Sequence, residues 1–194
     1  MLGNDADVAD PCDLLDEPTR SDNTYPVVFA YKVNQTAVLE GLTVTGGHNT
    51  VIDLGISGGA GMLNFVATPT VVTCTFVANS AVYEGGAAMF NLNSSPVLRA
   101  CMFVGNAAGS GGAVYNYSGT TQYIDDCVFS DNYAKSGGGA ICSASGSPSL
   151  LTRCRFSHNR ANGGGAILSS TDSHATLSEC LFEWNKAERG GAIY

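Results

Sequence analysis

Five charged residues are of the types that cleave acidic polysaccharides: Asp125 and Asp126, then Arg153 and Arg155, then Glu179. Paired carboxylates can work as acid and base on a glycosidic bond or hold Ca²⁺, with an arginine beside them. Asp126, Arg153 and Glu179 each stand directly before a cysteine, 27 and 26 residues apart. If the chain coils so that these positions stack, they lie about 4.8 Å apart on neighbouring parallel strands. Their signs then alternate, which is how adjacent exposed strands avoid like-charge repulsion. The column therefore reads as surface charge, and no catalytic residue is assigned. A second outward column, Asp131, His158 and Trp184, is chemically mixed and holds the single Trp of the chain. An indole can stack on a sugar ring, but Trp184 is expected to cover the end of the structure. His48, His158 and His174 stand at unrelated positions, and no Ser/His/Asp or Cys/His arrangement recurs. The acidic run Asp5-Ala6-Asp7-Val8-Ala9-Asp10 lacks the spacing and Gly of an EF-hand loop. No metal or cofactor site is assigned.

The elements that position these residues are repeats. Cys74-x-Phe76-x-x-Asn79 returns as Cys101/Phe103/Asn106, Cys127/Phe129/Asn132, Cys154/Phe156/Asn159 and Cys180/Phe182/Asn185, at steps of 27, 26, 27 and 26 residues. An Ala follows each Asn two residues on, and then a Gly pair, a small residue and an aliphatic, as in Gly138-Gly139-Ala140-Ile141. An earlier copy, Gly58-Gly59-Ala60-Gly61-Met62, has a degenerate upstream partner in Leu42-Thr43-Val44-Thr45-Gly46-Gly47. A period of this size marks a solenoid of stacked units.

An aliphatic three residues before each Cys (Val71, Leu98, Ile124, Leu151, Leu177) also fits the strand half of a leucine-rich repeat. The return segment argues the other way. Each Gly costs a helix about 1 kcal/mol relative to Ala, and a Gly pair followed by residues such as Val114-Tyr115 suits a corner leading into a strand. Pro69, Pro96 and Pro148 punctuate the coil in the same sense. The prediction is an all-β parallel β-helix of about 26-residue coils, with a leucine-rich-repeat-like solenoid as the alternative. One strand is expected to carry the aliphatic, Cys and Phe, with Cys and Phe on its inner face. Asn is expected at the following bend, in left-handed geometry, its amide bonded to the copies above and below.

Charge and cysteine usage narrow the partners. The net charge of −8 is concentrated in residues 1–22, where seven acids face only Arg20, a balance of −6; the rest of the chain is near neutral at −2. No basic stripe follows a phosphate backbone, so nucleic acid is not expected as a partner. Five of the seven cysteines share one repeat position and read as a column of small buried hydrophobes. Stacked strands are too far apart for the ~3.8 Å Cβ separation of a disulfide. Cys12 and Cys142 lie outside the column, Cys142 in the slot that Tyr115 and Tyr194 fill. A flat ice-binding Thr face is ruled out because Thr73 and Thr75 give way to Ala100/Met102, Asp126/Val128 and Arg153/Arg155.

Phe-x-x-Asn alternating with Gly-Gly-Ala-Ile over residues 58–194 resembles the repeat of the polymorphic outer-membrane proteins of chlamydiae and related bacterial surface proteins. Gly59-Ala60-Gly61-Met62 and Gly86-Ala87-Ala88-Met89 depart from Gly-Gly-Ala-Ile toward a Gly-Gly-Gly-Met variant. The resemblance implies a right-handed β-helix exported to the cell surface or secreted, and a role in adhesion.

The expected organisation is an acidic lead-in at 1–24, flexible or part of an N-terminal cap, a degenerate opening coil at 25–57, and five repeats at 58–194. The first residues are polar and acidic, unlike a signal peptide, and Gly190-Gly191-Ala192-Ile193-Tyr194 stops inside a repeat. A fragment with an open last coil, able to associate end to end, is expected. The functional expectation is a non-catalytic rigid stalk or adhesive surface for a surface or polysaccharide ligand, with a pectin-lyase-like carbohydrate-active domain as the alternative.

Overall fold

The computed structural model describes residues 10–20, 23–50, 57–83 and 85–194. Among the described residues four sheets of six strands each run along the solenoid, and each coil gives one short strand to every sheet. All pairings are parallel, between positions one coil apart. The chain is a parallel β-solenoid.

In a typical coil the first sheet takes Ile141–Ala144, the second Ser149–Thr152, the third Arg155–Ser157 and the fourth Arg160–Ala161. The segment expected as one strand through the aliphatic, Cys and Phe is in fact two. Leu151 ends up in the second sheet and Phe156 in the third, with a corner at Arg153. This corner is left-handed in every repeat, at Thr73, Ala100, Asp126, Arg153 and Glu179, with φ from 50° to 55°.

A second left-handed corner lies one residue before each Asn, at Ala78, Gly105, Asp131, His158 and Trp184, with φ of 52–60°. The Asn itself was expected to take that conformation; instead its neighbour does, and the Asn side chain turns inward. Left-handed geometry costs a non-glycine residue about 1–2 kcal/mol. The left-handed residue of each corner keeps its backbone ladder bond, which offsets that cost. Asp126 N–H donates to the Thr152 carbonyl at 3.0 Å, and Asp131 N–H to that of Ser157 at 3.1 Å.

The core is a set of columns. Phe76, Phe103, Phe129, Phe156 and Phe182 stack with ring centroids 4.7–5.1 Å apart and planes within 5° of parallel. Val44 heads this column in the opening coil, paired with Phe76. The Cys column lies beside it, buried from Cys74 to Cys154 and half-buried at Cys180, and all seven cysteines are free thiols. Each column thiol donates to the carbonyl two residues back, as Cys154 does to Thr152 at 3.2 Å. Burial pushes the Cys154 thiol up to about 12, so it stays protonated and inert.

The glycine corner is short of space whether or not φ is positive: Gly85, Gly111 and Gly190 are left-handed, with φ of 104°, 61° and 48°. Gly138 and Gly164 have ordinary φ, yet a Cβ on either would lie 1.9 or 1.8 Å from the carbonyl oxygen of Ile141 or Ile167. A Cβ on Gly139 or Gly165 would lie 2.2 or 2.0 Å from the next coil's glycine carbonyl. The backbone folds so tightly at this corner that a methyl group has no room.

Residues 10–20 lie along the flank of the solenoid as two short 3-10 turns, Pro11–Leu15 and Pro18–Arg20. Leu14 and Leu15 pack on Ala107, with Ala78 and Tyr133 at the margin. Buried Arg20 donates to the Ala78 carbonyl at 2.6 Å. This arm covers the outer face of the fourth sheet as far as Tyr133.

Candidate functional site

The recurring polar residues are committed to the scaffold. Asn79, Asn106, Asn132, Asn159 and Asn185 form a continuous amide ladder, each Nδ2 donating to the next Oδ1 at 2.9–3.1 Å. Each of the first four also gives its backbone N–H to the same oxygen at 3.0–3.1 Å. Each Nδ2 reaches back as well, as Asn132 does to the Phe103 carbonyl at 2.9 Å. The expected bonding up and down the stack is therefore present, with both directions satisfied.

A second interior polar column was not foreseen. Asn64 donates to Asn91 and Asn91 to Asn116, each at 2.8 Å, and Asn116 then donates to Gln122, Ser143 and Ser149 at 2.8–3.2 Å. The signal was available, since each of these Asn stands two residues after the aliphatic of the glycine element. A third column of hydroxyls caps backbone N–H groups, from Ser94 through Thr120 and Ser147 to Ser173. Chemistry with a ligand is left to the outward positions.

The charged residues singled out in the sequence lie on ridges rather than in a cleft. Asp126, Arg153 and Glu179 do stack along one left-handed corner, but their alternating signs do not pair with each other. Arg153 turns to Asp125, and Arg155 pairs with Glu183 at 3.3 Å. Both pairs are largely exposed, so they contribute little to stability. Trp184 is 80% exposed on the second corner and does not cover the end of the solenoid as expected. His48 is buried against Ser80, while His158 and His174 are exposed and far apart in the repeat. Among the described residues no three His, Cys, Asp or Glu side chains come together as a metal site. Asp5 and Asp7 of the acidic run lie outside the described residues; Asp10 accepts from the backbone N–H of Cys12 at 3.0 Å.

One place on the surface does gather mixed chemistry. The residue after each repeat Asn faces outward from the fourth sheet, and the last three such residues are Tyr133, Arg160 and Lys186. The Arg160 guanidinium lies 5.0 Å from the Tyr133 ring centroid and its Nη2 donates to both Asp10 oxygens, at 2.8 and 3.1 Å. The Cys12 amide, the Cys12 thiol and Arg160 hold the Asp10 carboxyl below its ordinary range. On the side of Arg160 toward Asp10 is a hollow of about 220 Å³, which also touches Pro11, Asp131 and His158. On the other side is one of about 320 Å³, lined by Tyr133, Arg160, Asn162, Lys186 and Glu188 among others. Sequence reasoning missed this group, though its members share one repeat slot or lie two residues after it.

Residues 126–144 and 153–170 match the family model of the Chlamydia polymorphic membrane protein (Chlamydia_PMP) repeat. No curated protein and no solved structure matches the chain. No helix among the described residues is long and apolar enough to cross a membrane.

Proposed function

We propose that this chain, which carries Chlamydia polymorphic membrane protein repeats, is a rigid cell-surface β-helix that binds a ligand along its flank without turning it over. The observation that carries this reading is the division of labour among its residues. What recurs inside the coils is spent on ladders, and the outward carboxylates are scattered on corner ridges or paired with arginine. A glycosidase or lyase needs two ionisable groups converging on one bond. A solenoid held by parallel ladders along its whole length is stiff, which suits a stalk that presents a binding face away from the membrane. The name of the matched repeat supports a place at the bacterial surface.

Incubation of the chain with a panel of acidic polysaccharides, read by reducing-end and unsaturated-product assays, tests the absence of turnover. The expected result is binding without new chain ends. Turnover that disappears in Asp126→Ala would overturn the reading in favour of a carbohydrate-active domain. Labelling of intact cells with an antibody to the chain tests the surface assignment, and signal only after permeabilisation would overturn it.

A further inference from the structure

We infer that the hollow between Tyr133, Arg160, Asn162, Lys186 and Glu188 is a binding subsite for a carboxylate-bearing sugar unit of a glycan. The inference rests on the surface-binding reading above and gives it a place and a chemistry. The hollow is about 320 Å³, at the small end of ligand pockets, which span roughly 300–1,000 Å³. It suits one ring or two rather than a folded partner.

Its walls divide by charge. Arg160 and Lys186 are neighbours on paired strands, one coil apart. Lys186 makes no ion pair among the described residues and is exposed, so its ammonium is free to meet an anion. Arg160 is half committed: Asp10 takes Nη2 on one side, and the remaining N–H groups of a guanidinium can still hold a planar carboxylate. The Asp10 contact and the Tyr133 ring fix the fork in place before any ligand arrives, which lowers the entropy cost of binding.

Two residues further along the same segments are Asn162 and Glu188, an amide and an acceptor suited to sugar hydroxyls, which also line the hollow. They are held together because Arg189 N–H donates to the Asn162 carbonyl at 3.2 Å. Glu188 also decides between ligands. It would repel a run of acidic side chains in a peptide, but it accepts hydrogen bonds from the hydroxyls of a uronate whose carboxylate lies at the cationic wall.

The exposed aromatics of the first sheet are poorer candidates for sugar. Tyr31 and Phe65 stack on each other at 5.6 Å and 20°, so much of their ring face is already covered and edges turn outward.

Titration of the full chain with a hyaluronan tetrasaccharide, followed by amide chemical shifts, tests the subsite. A neutral chitin tetrasaccharide and a hexaglutamate peptide serve as comparisons. Shifts centred on Asn162, Lys186 and Glu188 with the uronate sugar are expected. Affinity should fall at least tenfold in Lys186→Gln and be unchanged in Lys135→Gln, which removes a charge from the same sheet outside the hollow. Equal losses in the two variants would mean unspecific attraction and would overturn the subsite, as would a peptide that binds as tightly as the sugar. Uronate binding that shifts only other faces would overturn the subsite while leaving the surface-binding reading standing. Absence of binding to any of the three probes would overturn the assignment to carboxylated sugars.

Discussion

The corner amides from Asn79 to Asn185 and the inner amides Asn64, Asn91 and Asn116 run through the same solenoid, yet only the first set repeats unchanged. In the corner ladder each interior Asn has its carbonyl oxygen filled twice and its amide used twice, so every copy creates the site that the next copy fills. The inner ladder changes partners as it goes, from Asn to a cluster of Gln122, Ser143 and Ser149. It also leaves buried atoms without a partner, Asn64 Oδ1 at one end and Gln122 Nε2 where it changes. A backbone corner imposes the same unsatisfied groups on every coil and so demands the same residue. A strand interior imposes none, because its backbone is already paired.

That difference can be tested by deletion, and the corner ladder should suffer most. Asn132→Ala removes the acceptor for Asn106 N–H and Nδ2 and the donor to the Phe103 carbonyl. Each buried group left unpaired costs about 1–3 kcal/mol, so the variant should lose about 3–6 kcal/mol in urea unfolding. Asn185→Ala loses the same three bonds, but in a half-buried coil where water can replace them, and should lose about 1 kcal/mol. Equal losses at the two positions would mean that the ladder does not couple neighbouring coils.

The Phe column offers the apolar counterpart. Phe129 is fully buried between two rings, and Phe129→Ala should cost about 3–5 kcal/mol. Phe182 stacks on one ring only and is part-exposed. Phe182→Ala should cost less than half as much, and comparable denaturation midpoints would contradict the stacking. The glycine corner comes next. Gly139→Ala forces a methyl to 2.2 Å from the Gly165 carbonyl and should cost about 1–3 kcal/mol as overpacking. Ala87 holds the equivalent slot two coils earlier, so Ala87→Gly should be mild. A destabilisation of Ala87→Gly as large as that of Gly139→Ala would break the argument from space.

The same contrast explains what the residues disclosed in advance. Cys, Phe, Asn and Gly could be read because each fills a need that recurs from coil to coil: a small buried group, a ring in a stack, a corner amide, a tight corner. The left-handed corners could not, because Thr73, Ala100, Asp126, Arg153 and Glu179 share a conformation and no chemistry. Their geometry is imposed by the ladder above and below rather than by residue preference. One strand was therefore expected where there are two. The hollow beside Arg160 was hidden for a related reason. Tyr133, Arg160 and Lys186 occupy one slot with three different side chains, and a search for recurrence discards such a slot as noise. In a solenoid the scaffold is found by asking what repeats, and the site by asking what fails to repeat on a face where the columns are in register.

The smallest effect should come from the end of the irregular column. Asn64→Leu removes one buried oxygen that has no partner and one donor to Asn91. The first change is favourable, since an unpaired buried polar atom is relieved; the second leaves Asn91 Oδ1 unpaired and is unfavourable by a similar amount. Leu has the same number and branching of side-chain heavy atoms as Asn, and the slot is held by Ala30 in the opening coil, so an apolar residue is already tolerated there. The net change should lie within about 1 kcal/mol of zero, against several for Asn132→Ala. A loss of 3 kcal/mol or more at Asn64, by the same urea measurement, would mean that the inner column is as tightly templated as the corner one, and the distinction between an imposed and an incidental ladder would fail.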